Sequence, residues 1–125
     1  MSYSVKYDKD TDIVLVVIEG DFDLTLLKSM AAEVAHCLKD NDCKRVLSDM
    51  RSAKLLNCVT DIYRMPECAS AAGISRAIKR ALVVNTITDN YHFLETVFIN
   101  MANEVMLFTD VDKAMEWLRG KVSAP

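Results

Sequence analysis

Apolar positions alternate along the chain between short continuous runs and longer periodic stretches, which predict strands and helices. The run Ile13–Ile18 (IVLVVI) is apolar without alternation, which is typical of a strand covered on both faces. A short strand at Ser4–Tyr7 precedes it, and the brief polar turn Asp8–Asp12 between the two predicts an antiparallel hairpin. Three further strands are predicted, at Arg45–Leu47 with an extension as far as Met50, at Ala77–Val84 and at Glu104–Phe108.

The stretches between these strands carry apolar residues at spacings of three and four, which predict amphipathic helices. The helices cover approximately Asp23–Lys39, Leu55–Ala72, Asp89–Ala102 and the residues between Asp110 and Gly120. Pro66 lies inside the second helix and lacks the N–H that would bond to the preceding turn, so we expect a kink or two short helices there. Gly73 and Asn103 are expected to end the second and third helices in the left-handed conformation.

The resulting order of elements is β-β-α-β-α-β-α-β-α, and each strand–helix–strand unit favours parallel strands with a right-handed crossover. The pattern predicts an α/β fold with a single mixed sheet of about five strands and about four helices. The sheet begins with the N-terminal antiparallel hairpin and continues with parallel strands.

With 125 residues the chain can bury a core as a single domain, residues 1–125, without a metal or disulfide. Its three glycines form neither a GxGxxG motif nor a P-loop.

Composition and charge exclude several classes of function. The net charge is -3, and the basic positions Lys44, Arg45, Arg76, Lys79 and Arg80 only flank predicted strands, so we expect no binding to nucleic acid. No apolar run approaches the roughly 20 residues of a transmembrane segment.

The four cysteines form no CxxC pair and stand near no histidine cluster, which argues against a zinc site. Without a signal-peptide pattern, reduced thiols and a cytoplasmic location are the simplest interpretation. We predict no metal and no cofactor.

The second half of the chain resembles a known family. The strand Arg80-Ala81-Leu82-Val83-Val84 precedes Phe93, Glu95 and Asn100, and Glu104–Phe108 then leads into Asp110, Ala114, Trp117 and Leu118. This run is similar to the tail of SpoIIAA-like proteins in the STAS group (sulphate transporter and anti-sigma-factor antagonist). The resemblance implies one STAS/SpoIIAA-like domain, a regulatory or binding module without catalytic residues, and a regulatory protein as partner.

In signalling members of the STAS group, a partner kinase phosphorylates a serine at the start of the helix after the third strand, within an Asp-Ser-Ser-Gly-like sequence. The corresponding residues 56–61 here read LNCVTD, with neither serine nor glycine. Thr60 is the hydroxyl residue of this segment, and the resemblance makes it the candidate for phosphorylation. Its simpler role would be that of the helix N-cap.

In a sheet of parallel strands, the loops at the carboxyl ends are where ligands and partners bind. We therefore expect the segments Asp49–Lys54, Asn85–Asp89 and Thr109–Asp110 to meet at one end of the sheet. The predicted ligand- or partner-binding residues are Asp49, Arg51, Ser52, Asn57, Thr60, Asn85 and Thr86. Alternatively, these side chains only cap helices and bond to the loop backbone.

A second hypothesis is a carrier of a lipid or small apolar ligand, because the resemblance in fold extends to lipid-binding proteins of the Sec14 type. The second helical stretch has an excess of apolar residues that could line a pocket, fill the core or form a dimer face: Leu55, Leu56, Ile62, Tyr63, Met65 and Ile74.

A third hypothesis is a hydrolase, with Ser48 or Ser52 beside His92 and Asp49, or with Cys58 beside His92. No spacing requires either arrangement, and Ser48 lacks the Gly-x-Ser-x-Gly elbow.

We also expect a homodimer, since the chain is rich in apolar residues for its size. The residues predicted to be surplus to the core are Leu55, Leu56, Met65 and Ile99.

Overall fold

The structure, a computed structural model, describes residues 2–55 and 59–120. Its elements in chain order are β1 (Ser2–Asp8), β2 (Ile13–Phe22), α1 (Leu24–Asp40), β3 (Arg45–Leu55), α2 (Val59–Ala71), β4 (Lys79–Val83), α3 (Asp89–Asn100), β5 (Val105–Phe108) and α4 (Val111–Leu118).

The strands form one five-stranded sheet in the order β1-β2-β3-β4-β5. β1 pairs with β2 in the antiparallel sense, and every later pair is parallel. This arrangement of one mixed sheet and four helices confirms the predicted fold class. The helices α1, α2 and α3 pack side by side on one face of the sheet, and α4 packs on the opposite face over β3, β4 and β5.

The hydrophobic core accordingly lies on both sides of the sheet. Ile13 and Val14 are both fully buried, although neighbouring residues of a strand point to opposite faces. The larger core lies under α1–α3, and the smaller one lies under α4. In the smaller core Trp117 packs at a tilt against Phe108, with ring centroids 5.7 Å apart.

β3 is longer than predicted and contains a β-bulge. Two steps along β2, from Val17 to Glu19, face three steps along β3, from Asp49 to Ser52. The prediction of a loop at Asp49–Lys54 is therefore wrong, because the strand continues to Leu55.

The bulge also explains why the hydrophobic pattern of residues 49–54 predicted a loop and not a strand. Before it, Val46 and Met50 face the larger core, and after it Ala53 and Leu55 do so. One inserted residue thus moves the positions that face the larger core from even to odd residue numbers. Because strict alternation is the sequence signature of a half-buried strand, its interruption made this segment resemble a loop.

Two helix predictions are also corrected. α2 is one helix that continues through Pro66, so the alternative of two short helices is wrong. Its buried face, which includes Ile62 and Met65, compensates for the one backbone bond that proline cannot make. Gly73 has a φ of +107°, as a left-handed C-terminal residue should, but in the third helix that conformation belongs to Ala102 (φ +64°) and not to Asn103.

Two of the four residues predicted to be surplus to the core are part of it. Leu55 and Met65 are buried, so the prediction that they are available for a dimer surface is wrong. Leu55 points from the bulged strand into the larger core, and Met65 points into it from α2. Ile99 is exposed, as predicted, and Leu56 lies outside the described residues.

Candidate functional site

The bulge in the middle of β3 carries an ion pair at the level where β4 ends, since Asp49 pairs with Val83. Arg51 donates from Nε to Asp49 Oδ1 at 2.9 Å and from Nη2 to Oδ2 at 2.8 Å. Its backbone N–H also donates to Oδ1, at 3.2 Å. These bonds from Arg51 hold the pKa of the Asp49 carboxyl below its ordinary value. Asp49 is thus an ionised acceptor whose two oxygens are engaged by its own neighbour.

Asn85 connects this pair to the next strand. Its Nδ2 donates to the backbone carbonyl of Arg51 at 2.7 Å, just where β4 has ended. The structure therefore brings together three predicted site residues, Asp49, Arg51 and Asn85. Thr86 is exposed in the same loop, and Ser52 is exposed beyond the bulge.

The start of α2 lies at this same end of the sheet, because α2 follows β3. Thr60 is exposed in its first turn, whereas Asn57 lies outside the described residues. Val59 and Tyr63 are 60% and 69% exposed, and a spacing of four places them on one side of the helix. Ile87, in the loop after β4, is 47% exposed.

These exposed apolar residues were missed as partner-binding candidates. Of the alternatives for Tyr63, lining a pocket and filling the core are wrong because its side chain is 69% exposed, whereas a place on a dimer face stays a prediction. Helical spacing alone did not mark them, because Pro66 is buried although it follows Val59 by seven residues and so lies on nearly the same side of α2.

The hydrolase triad does not assemble in the described residues. Ser48 faces the larger core and is 8% exposed, whereas Asp49 lies on the opposite face of the sheet. His92 is exposed on α3, and within residues 2–55 and 59–120 its side chain has no bond to Ser48, Ser52 or Asp49. The pairing of His92 with Cys58 falls outside the described residues.

Arg80 lies in β4, inside the predicted strand, but its charge did not predict its burial. It does not merely flank a strand: it points into the larger core and is 6% exposed. Its Nη2 donates to Asn103 Oδ1, its Nε donates to the carbonyl of Ile78 at 3.3 Å, and its guanidinium lies 5.3 Å from the ring centroid of Phe98. Burial lowers the pKa of Arg80 to about 10, so the group remains charged at neutral pH.

No carboxylate in the described part of the chain forms an ion pair with Arg80. Neutral acceptors and the end of α3 compensate for its charge. Asn103 Nδ2 also donates to the carbonyls of Phe98 (3.2 Å) and Met101 (3.3 Å), which belong to the negative end of the helix dipole. Arg80 and Asn103 thus fasten the end of α3 to β4. Counting alternate positions from Ile78 to Leu82 would have revealed this inward orientation.

An internal cavity of about 70 Å³ lies between the sheet and α1–α3. Apolar side chains line it, including three methionines, with Ser48 and Arg80 as the polar members of its wall. Met65 and Ile74 contribute to it, as the pocket hypothesis required, but Leu55, Ile62 and Tyr63 do not. Sites for drug-sized ligands typically measure about 300–1,000 Å³, so this cavity cannot accommodate a lipid chain in the conformation described.

In residues 2–55 and 59–120, no three His, Cys, Asp or Glu side chains are grouped closely enough to hold a metal ion. The described cysteines Cys37, Cys43 and Cys68 are free thiols, and burial raises the pKa of Cys37 and Cys43.

Among the described helices, none has the length and apolar character needed to cross a bilayer.

Solved structures of anti-sigma factor antagonists share this fold. A crystal structure of an anti-sigma factor antagonist from Mycobacterium paratuberculosis matches with a TM-score of 0.62 at 12% identity, over 94% of this chain and 95% of that one. The anti-sigma factor antagonist SpoIIAA in its unphosphorylated form matches with a TM-score of 0.55 at 14% identity, over 95% of this chain and 99% of that one.

No protein-family model matches the sequence, and no curated protein matches it significantly. At these identities the structural matches show the fold alone. The chain has the STAS/SpoIIAA-like α/β fold that the resemblance implied.

Proposed function

We propose that this protein is a non-catalytic regulatory module that acts by binding another protein at the carboxyl end of its parallel strands. The observation that carries the proposal is the set of exposed apolar side chains there: Val59, Tyr63 and Ile87. We call these three residues the outlet surface. Both solved structures reported above are anti-sigma factor antagonists, which supports a regulatory role for the shared fold.

The composition around the outlet surface suits a protein partner. Exposed aromatic and aliphatic side chains can supply the apolar centre of an interface, and polar groups its rim. Asp49 and Arg51 already satisfy each other, so a partner need not neutralise either charge. Thr86 and Ser52 are exposed hydroxyls that can bond to a partner or to water.

Quantitative affinity capture from the native host tests this proposal. We compare the wild-type protein with the double variant Val59→Ser, Tyr63→Ala and with the control Ile99→Ser, which removes an apolar side chain that is 51% exposed on α3. The proposal expects a specific protein to be retained by wild type and control and reduced at least tenfold by the double variant. If every retained protein binds all three forms equally, the outlet surface is not the binding site.

Thr60 gives the proposed surface a means of regulation. A phosphate in the first turn of α2 would meet unpaired backbone N–H groups and the positive end of the helix dipole, and it would add charge beside Val59 and Tyr63. We expect Thr60→Glu to weaken capture of the partner and Thr60→Gln to leave it unchanged. Equal capture by both variants would contradict regulation at this residue, without affecting the proposal of the outlet surface itself.

Transport of a small apolar ligand is the second candidate function, favoured by the internal cavity. Its 70 Å³ is about half of the roughly 150 Å³ known to hold benzene in an engineered core, so only a molecule of a few heavy atoms would fit. Mass spectrometry of an organic extract of the purified protein tests this function. Absence of any compound present in stoichiometric amount would count against a carrier.

A further inference from the structure

The two edges of the sheet differ in how their backbone groups are satisfied. At the β5 edge, the backbone N–H of Leu107 donates to Glu95 Oε2 of α3 at 2.7 Å. A carboxylate that occupies a strand's outward N–H blocks the approach of another strand. The β5 edge is thus closed by the helix beside it.

The β1 edge has no such protection. Its seven residues pair with β2 in unbroken register, without proline, glycine or bulge. Between Tyr3 and Tyr7, no hydrogen bond from the rest of the described chain reaches the outer backbone groups of the strand. A straight, unprotected edge of this length is a template for a further strand.

We propose that β1 pairs with β1 of a second copy of this chain, which joins the two sheets edge to edge. A two-fold axis perpendicular to the sheet makes the two strands antiparallel and keeps the faces that carry α1–α3 on the same side. The same edge serves both copies, so the interface is isologous. Because Glu95 closes the other edge, the assembly stops at a dimer and does not grow into a filament.

Side-chain pattern selects the register of this pairing. Tyr3, Val5 and Tyr7 pack toward the larger core, so Ser4 and Lys6 lie on the opposite face. A register centred on Val5 places Tyr3 opposite Tyr7 of the partner subunit, and aromatic cross-strand pairs are favourable. It also places Lys6 opposite Ser4 of the partner subunit, whereas a register centred on Lys6 would oppose two lysines.

The aromatic rings that this register uses are already held in place. Tyr3 Oη donates to Glu33 Oε1 at 3.1 Å, and Tyr7 Oη donates to Asp12 Oδ1 at 2.7 Å. Both hydroxyl groups are therefore bonded within their own chain. The proposed contact with the second copy uses the edges of the two rings.

Light scattering coupled to size exclusion, over a dilution series, tests the proposal. The wild-type protein should show twice the 14.0 kDa of one chain. Ser4→Lys puts like charges opposite Lys6 of the partner subunit at two symmetric places, and Ser4→Glu puts opposite charges there. We expect a dissociation constant about tenfold higher for Ser4→Lys than for wild type and several-fold lower for Ser4→Glu. Ser4 is exposed, so both variants should fold.

Ile99→Ser is the matched control, because Ile99 is exposed on α3 and far along the sheet from β1. It should leave the dissociation constant unchanged. A monomer at all concentrations would overturn the proposal, and so would a dimer whose affinity is insensitive to the charge at position 4. Dissociation by Ile99→Ser would assign the interface to α3 instead.

Discussion

Replacing Asn103 by alanine removes the acceptor that best compensates the buried charge of Arg80. The substitution deletes the bond from Arg80 Nη2 to Asn103 Oδ1 and the two longer bonds from Nδ2 to the carbonyls of Phe98 and Met101. The guanidinium cannot turn to water, because Arg80 is almost completely buried. We therefore expect Asn103→Ala to be among the most destabilising changes at a half-buried position.

The magnitude follows from the bonds lost. A hydrogen bond to a charged group contributes about 1.5–3 kcal/mol, and each of the two long bonds adds a few tenths. The free energy of unfolding should thus fall by about 3 kcal/mol. For a chain of 125 residues, 1 kcal/mol corresponds to about 4 °C in Tm, so we expect a Tm about 12 °C lower.

A double-mutant cycle with Arg80→Met separates the charge from the other effects of the substitution. Methionine keeps the apolar stem and the contact with Phe98 but removes the buried cation, so this variant alone should change stability by about 1 kcal/mol or less. In that background Asn103→Ala should cost only about 1 kcal/mol. Urea denaturation followed by circular dichroism measures all four free energies. A coupling energy below about 0.5 kcal/mol would refute the view that Asn103 compensates Arg80.

Three further predictions rest on single residues and are checked by thermal denaturation. Ser48→Val places extra methyl groups against the cavity in a strand and should raise Tm by about 4 °C; a decrease would show that the space is not free. Asp49 has a lowered pKa in the folded state, so its stabilising contribution is complete above the unfolded pKa of about 3.9 and is lost as pH falls through the folded value. The Tm advantage of wild type over Asp49→Asn should therefore shrink below about pH 4, and a constant difference would contradict the role of Arg51. Gly73→Ala should lower the free energy of unfolding by about 1–2 kcal/mol because φ is +107°, whereas Ala102→Gly should raise it; equal effects would contradict the backbone argument.

The order of elements along the chain and the fold class could be predicted because the hydrophobic periods are long and regular. The apolar run of β2 and the helical spacing in α1 each point to one type of element, and short connections leave few topologies. Pro66 does not divide α2 into two helices because tertiary packing along the buried face of α2 outweighs a local preference. Local rules therefore failed where packing had the larger free energy.

Only part of the candidate site could be predicted from the sequence. The ion pair of Asp49 and Arg51 meets Asn85 because β3 at this level is in parallel register with the last residues of β4, and the order of elements already implies that parallel pairing. The orientation of a charged side chain within a strand depends on its register, and charge alone suggested that Arg80 was exposed. Exposure of Val59 and Tyr63 likewise depends on how far α2 turns over the sheet, a quantity that no local pattern contains.

The bulge in β3 has a consequence for comparing this chain with distant relatives of the same fold. A relative with a regular third strand has one residue fewer between the ends of that strand. A gap-free alignment would then set inward positions of one protein against outward positions of the other, starting at Ser52. Buried residues such as Ala53 and Leu55 would appear to be replaced by polar ones, although their places in the sheet are equivalent. Allowing one gap at residues 50–52 restores the correspondence, and it also changes which position of the relative is compared with Thr60 when a modified hydroxyl is sought.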